Sequence, residues 1–222
     1  MLLAMDTSTR WIGLALYDGA SVLAEEIWQS HNHHTVEMAP AVQRLLSRCE
    51  VLPTALQGIG VALGPGSFTS LRIGLAVAKG MALALHLPVI GVPSLDVLAA
   101  SQPVKPLPLA AVLQAGRGKL AVGWYTSKGE AWVSDGPAEV TTAEDLAAAI
   151  HTPTLVSGEL NAAERQVLGR KRKSILLASP AQSLRRPACL AEIAWQRLQK
   201  GKVDEVISLA PIYLRTLEAI PE

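Results

Sequence analysis

The sequence predicts an α/β protein made of two halves with the same order of strands and helices. Half of its 222 residues are hydrophobic, which is enough apolar surface for a large core. Short strand-like runs alternate with helical patterns on both sides of a proline-rich stretch, SQPVKPLPLA, at residues 101–110. The two cysteines lie far apart without metal-ligand spacing, so we expect a reducing compartment.

The first half is predicted to begin with three strands, MLLAMDTS, WIGLALYDG and SVLAEEIW, with Asp18-Gly19 as a hairpin turn. A helix over about 35–49 follows, and then the strand GIGVALG. A long helix from about Thr69, the strand PVIGV and a helix with Ser94 as its N-cap complete this half. The predicted order is βββαβαβα.

The second half repeats this order. LAAVLQA, KLAVGWYTS and EAWVSDG are predicted strands, and TTAEDLAAAI is a predicted helix with a threonine N-cap. The strand TLVSGE, the helix ERQVLG, the strand SILLAS and the helix CLAEIAWQRLQKG follow, and Gly201 ends the last helix. Two βββαβαβα halves resemble the duplicated actin-like, ribonuclease-H-like (ASKHA) fold. We therefore expect domains at 1–102 and 103–222, with the last segment able to pack back on the first domain.

Charge and hydropathy favour a protein that is partly covered by a partner. The net charge of +1 does not by itself indicate nucleic acid or an anionic membrane as a ligand. Only 18% of the residues are charged and the mean hydropathy is +0.28, so few charges are available to cover the surface. The start lacks a basic signal-peptide region, and the longest apolar run, 73–87, is interrupted and short. We expect a cytoplasmic protein without membrane contact.

A glycine-rich turn precedes the long helix. It lacks the lysine that a Walker A phosphate loop needs after its last glycine, so it is not a P-loop. The favoured interpretation is a strand-to-helix turn with a serine or threonine cap, and the alternative is that its amides meet an anion. The turn consists of Gly64, Pro65, Gly66, Ser67, Phe68 and Thr69.

The long helix is apolar nearly all round, which indicates burial on every side. Ser70, Gly74 and Ala78 lie four residues apart and form a stripe of small side chains that would let another helix approach closely. The covering helix could be the one at 35–49 or could belong to another subunit. The low charge content favours a subunit interface.

Independent catalysis is not expected from the available motifs. Actin-like ATPases use a carboxylate in the first-strand region of each half to organise magnesium. Asp6, followed by Thr7 and Ser8, could serve in the first half as a vestigial nucleotide site, but Gln114 stands at the corresponding point of the second half. A neutral amide does not supply the missing charge.

Two further patterns favour ordinary surface roles. His33 and Glu37 have i, i+4 metal-ligand spacing, but no second ligand cluster accompanies them, so we expect His31, His33 and His34 in a polar loop. The basic run 170–173 could meet a nucleic-acid backbone, although a solvated loop is the favoured interpretation.

The sequence GPGSFTSLRIG at 64–74 resembles the GPGSFTGLRIG signature of the TsaB family. Members of this family are bacterial proteins of tRNA threonylcarbamoyladenosine biosynthesis, also called YeaZ-like, and are paralogues of the glycoprotease-like (M22) proteins. MDTST near the start, GRGK at 116–119 with Tyr125, and PIYLR at 211–215 resemble the other landmarks of that family in order. Two residues depart from its pattern, since Ser70 replaces a glycine and Gln114 an aspartate.

The resemblance implies a subunit without a working active site and without an intrinsic cofactor. Its partner would be the paralogue TsaD, which carries an HxxxH metal motif absent here and transfers the threonylcarbamoyl group to the adenosine next to the tRNA anticodon. The ATPase TsaE would complete the complex, tRNA would be met through it, and ATP, ADP or magnesium would lie only at the joint interface. The resemblance also implies a homodimer when TsaD is missing.

In the family, the two helices of the N-terminal domain contact TsaD. These helices match the segments 35–49 and 69–85 here. The residues expected to form the contact are Val36, Met38, Val42, Leu45, Ser70, Arg72, Gly74, Val77, Ala78 and Met81. Two other hypotheses stay open. The first is a stand-alone ATP-binding enzyme of the actin-like and sugar-kinase superfamily, or a metallopeptidase. The second is a homodimeric tRNA-binding module that uses the basic run at 170–173.

Overall fold

The computed structural model describes residues 1–31 and 33–214. The first half has the predicted order βββαβαβα, with one turn of 3-10 helix at Pro53–Ala55 before the fourth strand. The elements are β1 (Leu2–Asp6), β2 (Trp11–Tyr17), β3 (Val22–Gln29), α1 (His34–Arg48), β4 (Gly58–Ala62), α2 (Phe68–Leu85), β5 (Val89–Val92) and α3 (Ser94–Ala100). Ser94 is the first residue of α3 and Pro93 its N-cap, so the predicted cap is one residue off.

The second half repeats this order with one strand that the sequence did not predict. Short β9 pairs antiparallel with β7 before the first helix of this half. The elements are β6 (Leu109–Gly116), β7 (Lys119–Lys128), β8 (Ala131–Ser134), β9 (Glu139–Thr141), α4 (Ala143–Ala149), β10 (Thr154–Gly158), α5 (Ala162–Gly169), β11 (Ile175–Leu177), a 3-10 helix (Pro180–Ser183) and α6 (Pro187–Gln199).

The two sheets have corresponding strand orders. The first is β3-β2-β1-β4-β5, in which β1, β2 and β3 are antiparallel neighbours while β4 and β5 run parallel to β1. The second contains β11-β10-β6-β7-β8, with β6, β7 and β8 antiparallel and β10 and β11 parallel to β6. This repetition confirms the duplicated actin-like fold. It also brings the carboxyl ends of β1 and β10, one from each sheet, to the region between the halves.

Helix α6 packs on the sheet of the first half, although it follows the strands of the second. Its Leu190 and Ala194 are buried with Leu2 and Ala4 of β1. The approach is close because Gly60 of β4 has no side chain, and a Cβ there would lie 2.8 Å from the Cβ of Ala194. Helix α6, which follows the second sheet in the chain, is therefore part of a hydrophobic core that it forms with the first sheet.

Helix α3 makes the reciprocal contact. Leu95 and Leu98 of α3 are buried with Leu109 of β6 and Leu155 of β10, both in the second sheet. Tyr125 of β7 donates a hydrogen bond from its hydroxyl to Asp96 Oδ1 at 2.8 Å. Each half thus contributes its last helix to the surface of the other.

Helix α2 is buried on one face only. Ser67 caps it by accepting a hydrogen bond from the Ser70 amide, and Leu71, Leu75 and Ala82 pack into the first half. The alternative in which this chain alone covers the helix on every side is wrong, because Leu83 is 61% exposed on the opposite face. Within the described part of the chain, α2 is the one helix that could cross a membrane by length and composition, with 33% of it buried here.

Candidate functional site

A cleft of about 810 Å³ lies between the two halves, at the carboxyl ends of their central parallel strands. It is lined from the first half by Thr9, Ser67 and Phe68, and from the second by Gln114 and Glu159 among others. In open α/β sheets, ligands bind at such strand ends. The vestigial nucleotide site predicted from the sequence would therefore lie at this cleft.

Asp6 lies at the carboxyl end of β1 beside this cleft, and each of its carboxylate oxygens accepts a hydrogen bond within the chain. Its Oδ2 accepts a hydrogen bond from Arg185 Nε at 2.7 Å, and its Oδ1 accepts one from the Ser8 amide at 2.8 Å. The side chains of Asp6 and Arg185 are only 3% and 2% exposed. The countercharge of this buried carboxylate is therefore a guanidinium of the same chain.

Arg185 also binds the second half. Its Nη1 donates to Glu159 Oε1, and its Nη2 donates to Thr9 Oγ1 at 3.1 Å. Burial by itself would lower the pKa of Arg185, but the charges of Asp6 and Glu159 outweigh burial and raise that pKa above its ordinary value. The arginine is therefore permanently charged. Sequence reasoning missed it because its partners are distant along the chain.

Gln114 is part of a second hydrogen-bonded group at the cleft. Its Nε2 donates to Glu159 O at 2.9 Å and to Glu164 Oε2 at 2.7 Å. Glu164 is buried and also accepts from the Asn161 amide at 2.7 Å, which caps α5. The amide at position 114 supplies two donors that a carboxylate could not supply, so the replacement of the family aspartate fits the surrounding acceptors.

The signature turn packs on the segment that follows β1. The Ser67 amide donates to Ser8 O at 2.7 Å, and a Cβ on Gly66 would overlap that same carbonyl. Gly64 donates from its amide to Ser94 Oγ at 2.9 Å, and Ser94 Oγ is in turn hydrogen-bonded to Ser8 Oγ. Pro65 is buried in this turn, while Phe68 and Thr69 are exposed. The turn thus sets the start of α2, and the anion contact stays a prediction.

The small-residue stripe of α2 faces the interior of this chain. A Cβ on Gly74 would overlap the side chain of Thr7, and Thr7 Oγ1 donates to Ser70 O at 2.8 Å. Ala78 is fully buried in the core of the first half. The expected placement of Ser70, Gly74 and Ala78 on a subunit interface is therefore corrected, because their small size admits the β1 segment and the sheet.

Helix α1 shows the same pattern. Met38 and Leu45 are fully buried in the core of the first half, so these two positions lie inside the chain. Val42 packs in the same core and also lines a groove that it shares with Met81 of α2. Val36 is 69% exposed. Of the predicted interface residues on α2, Arg72 is exposed, and Val77 and Met81 are half-buried.

A different stripe of small residues lies on the exposed side of α2. Its small residues are Ala76, Gly80 and Ala84, and the larger Ile73 and Leu83 flank them. We call these five residues together the outer face. Ala76, Gly80 and Ala84 are exposed and four residues apart, and no atom lies within 4 Å of a Cβ built on Gly80. The outer face therefore offers a close approach to another helix without any change within this chain.

Two neighbours border the outer face. On one side, Met81 lines an apolar groove of about 610 Å³ together with Ala39, Val42 and Leu46 of α1. On the other side runs the segment 204–214, where Lys79 Nζ donates to Ile207 O at 2.9 Å. The face is thus open between α1 and the C-terminal segment.

The signature sequence and the PIYLR sequence meet at one end of this face. The guanidinium carbon of Arg72 lies 3.6 Å from the ring centroid of Phe68, and its Nε donates to the Tyr213 hydroxyl at 3.0 Å. The rings of Phe68 and Tyr213 lie 5.0 Å apart. These contacts bring together two motifs that are far apart in sequence. Arg215, the last residue of PIYLR, lies outside the described residues.

The histidine-rich segment forms no metal centre in the described parts of the chain, where no group of three or more His, Cys, Asp or Glu side chains converges. His34 is not a loop residue as expected, because it begins α1, is buried, and its Nε2 is hydrogen-bonded to Thr9 O at 3.0 Å. Glu37 accepts from Trp28 Nε1 at 2.9 Å, and this bond lowers the pKa of Glu37. The basic residues 170–173 are exposed between α5 and β11.

Known proteins resemble this chain along nearly its whole length. The tRNA threonylcarbamoyladenosine biosynthesis protein TsaB of Bacillus subtilis (strain 168) is 34% identical over 225 residues, which cover 98% of this chain and 95% of that protein. YeaZ from Pseudomonas aeruginosa has a TM-score of 0.80 and 26% identity, covering 96% of this chain and 99% of that chain.

The chain belongs to the TsaB family.

A family model described as TsaD, tRNA N6-adenosine threonylcarbamoyltransferase, also matches residues 21–219. This agrees with the paralogy between TsaB and TsaD that the resemblance implied. Component A of (R)-2-hydroxyglutaryl-CoA dehydratase from Acidaminococcus fermentans shares the fold alone, with a TM-score of 0.54 and 10% identity over 89% of this chain and 98% of that chain. The TsaB assignment extends over both halves, including α2 and α6.

Proposed function

We propose that this TsaB-family chain is a non-catalytic subunit of the machinery that makes threonylcarbamoyladenosine in tRNA, working in the cytoplasm as the partner of TsaD. The role in this biosynthesis is supported by the name of the full-length B. subtilis relative. TsaD would transfer the threonylcarbamoyl group to the adenosine beside the anticodon, and this chain would support that transfer by binding TsaD.

The observation that carries the proposal is the outer face of α2. It is apolar and exposed, and its central residue Gly80 has open space beyond it. Leu83 and, on α1, Val36 are large hydrophobic side chains with 61% and 69% exposure. Exposed apolar surface of this kind is typical of a protein interface. The interface proposed here therefore uses Val36, Arg72, Val77 and Met81 from the predicted set, together with the outer face.

Two features of the cleft support the proposal that the chain itself is not catalytic. Asp6 is bound to Arg185, and Gln114 supplies hydrogen-bond donors where a second carboxylate would be needed. No HxxxH sequence occurs, because none of the five histidines is followed by another four residues later. The residues four after His31, His33, His34, His86 and His151 are Thr35, Glu37, Met38, Ile90 and Leu155. We propose that chemistry belongs to TsaD and that ATP, ADP or magnesium would bind only at the joint interface.

The larger assembly is part of the same proposal. TsaE would join the TsaD complex as its ATPase, and tRNA would be met through the complex and not by this chain alone. In the absence of TsaD, the same apolar face would be covered by a second copy, which gives a homodimer. Because one face serves both contacts, homodimer and heterodimer would compete.

The experiment compares two glycine substitutions. Gly80→Arg places a long cation on the outer face, and the control Gly136→Arg places it on the exposed surface of the second half. Neither glycine has an atom within 4 Å of a built Cβ, and neither has a positive φ. Binding of purified TsaD is measured by titration calorimetry, and folding by thermal denaturation.

We expect Gly80→Arg to weaken TsaD binding at least about 100-fold, since charged residues are disfavoured in interface cores. Its folding should be preserved, because arginine is a better helix former than glycine. Gly136→Arg should bind TsaD as the unchanged chain does. If Gly80→Arg folds and binds TsaD with unchanged affinity, the outer face is not the interface and the proposal fails in its central point.

A further inference from the structure

A buried cluster of charged side chains joins the two halves, and Arg185 is its centre. Arg185 lies between the 3-10 helix Pro180–Ser183 and α6, where the chain returns from the second half to the first. Its Nε donates a hydrogen bond to Asp6, which lies at the end of β1. Its Nη1 donates one to Glu159, which directly follows β10. One cation therefore contacts one carboxylate from each sheet.

Thr9 completes this cluster. Its Oγ1 accepts from Arg185 Nη2 at 3.1 Å and donates to Glu159 Oε1 at 2.8 Å. Arg185 Nη2 is also 3.4 Å from the carbonyl oxygen of Trp11. All three nitrogens of the guanidinium thus have partners, as a buried arginine requires.

The charges of the cluster explain why a cation is needed there. The side chains of Asp6, Arg185 and Glu159 are 3%, 2% and 10% exposed, so water screens them poorly. Without Arg185, two carboxylates from opposite halves would share this region with no countercharge, and like charges at close range repel. Removing one partner of a buried ion pair is far more damaging than replacing all partners with neutral groups.

We propose that the space between the two halves is a cation site whose occupant is the chain's own Arg185, and that this tethered cation holds the halves closed in place of a diffusible ligand. The cleft then does not open and close around a nucleotide and its metal. The first half, with its outer face, is kept in one orientation relative to the second. This inference does not depend on the identity of the partner.

The first test removes the tethered cation and offers a free one. Arg185→Ala leaves the volume of the guanidinium empty between Asp6 and Glu159. Its thermal midpoint is measured with millimolar guanidinium chloride, far below denaturing concentrations, and with sodium chloride at the same concentration. Arg186→Ala is the matched control, since Arg186 is the next residue and forms an ion pair with Glu25 with its own side chain 53% exposed.

We expect Arg185→Ala to lower the thermal midpoint by roughly 10 °C, and guanidinium, but not sodium, to restore several degrees of it. The unchanged chain and Arg186→Ala should respond equally to the two salts. A folded Arg185→Ala whose midpoint is the same in both salts would overturn the proposal, because the site would then have no affinity for the cation that it is inferred to hold.

The second test separates charge from shape and also covers the case in which Arg185→Ala does not fold. Arg185→Met is compared with the triple variant Asp6→Asn, Glu159→Gln, Arg185→Met, which removes all three charges. The triple variant should be the more stable of the two, and should fold even if Arg185→Met does not. If the triple variant is no more stable than Arg185→Met, Arg185 acts through packing and the proposal is wrong.

Discussion

Arg185 Nε lies 2.7 Å from Asp6 Oδ2, although the two residues are 179 positions apart in the chain. Asp6 stands at the end of the first strand, where an actin-like ATPase would use a carboxylate to organise magnesium. Here the carboxylate is neutralised by a side chain of the same protein. The site that the sequence suggested for a nucleotide is thus a structural contact between the two halves.

A first prediction follows for nucleotide binding. We expect the isolated chain to give no saturable heat with ATP and magnesium in titration calorimetry, because Asp6 is occupied and Gln114 adds no charge. Asp6→Asn is the control and should give the same trace. Stoichiometric binding by the unchanged chain that Asp6→Asn abolishes would instead support a stand-alone ATP-binding enzyme.

The two glycines of α2 are expected to respond oppositely to the same substitution. Gly74→Ala should lower the free energy of unfolding by about 1–3 kcal/mol, because the new Cβ overlaps Thr7. Gly80→Ala should raise it by about 1 kcal/mol, because the position is open and alanine favours the helix. Urea denaturation of both variants measures these changes. A stabilised Gly74→Ala would show that the stripe at Ser70, Gly74 and Ala78 is not tightly packed.

Restoring the family aspartate should destabilise the chain. Gln114→Asp removes the donors to Glu159 O and Glu164 Oε2 and adds a negative charge beside buried Glu164. We expect a loss of about 2–3 kcal/mol in the free energy of unfolding at pH 8.

Gln114→Asn is the control for Gln114→Asp, since it shortens the side chain without adding charge. Its loss of stability at pH 8 should be smaller than that of Gln114→Asp. If the two variants lose equal stability at pH 8, charge is not the reason that glutamine stands at this position.

Tyr125 should make the chain sensitive to alkali. Burial raises its pKa, and the neighbouring charge of Asp96 and the hydrogen bond to it raise it further. Because the pKa is raised on folding, its contribution to stability is complete below the unfolded value of about 10 and is lost as the pH rises above it. Denaturation at pH 9 and pH 11 should therefore show a smaller loss for Tyr125→Phe than for the unchanged chain. An identical loss in both would contradict this assignment.

The order of elements in each half could be predicted because strands and helices have different hydrophobic periods. The last segment was expected to be able to pack back on the first domain, but the exchange of α3 and α6 was not predicted. A sequence pattern shows that Leu190 and Ala194 are buried but not which sheet buries them. Gly60 carried the available signal, because a glycine within a strand indicates close approach of another element. That signal did not identify α6.

The sequence analysis placed the candidate interface on a face of α2 that is buried in this chain, whereas the interface proposed here lies on the exposed face of the same helix. Ser70, Gly74 and Ala78 have the same spacing as Ala76, Gly80 and Ala84, and a helix that is apolar all round gives no periodic signal to tell the faces apart. The inner face is identified by the burial of Ala78 and by the close approach of Gly74 to Thr7, 67 positions away. Long-range contacts of this kind are absent from any local pattern.

The mass of the complex formed with TsaD tests the central claim most directly. The chain is passed through gel filtration with light scattering, first alone and then mixed with TsaD from the same organism. The account predicts that any homodimer is replaced by a species with the summed mass of one chain and one TsaD. If the chain remains a monomer alone and elutes separately from TsaD, its exposed helix is not a subunit interface and the account is contradicted.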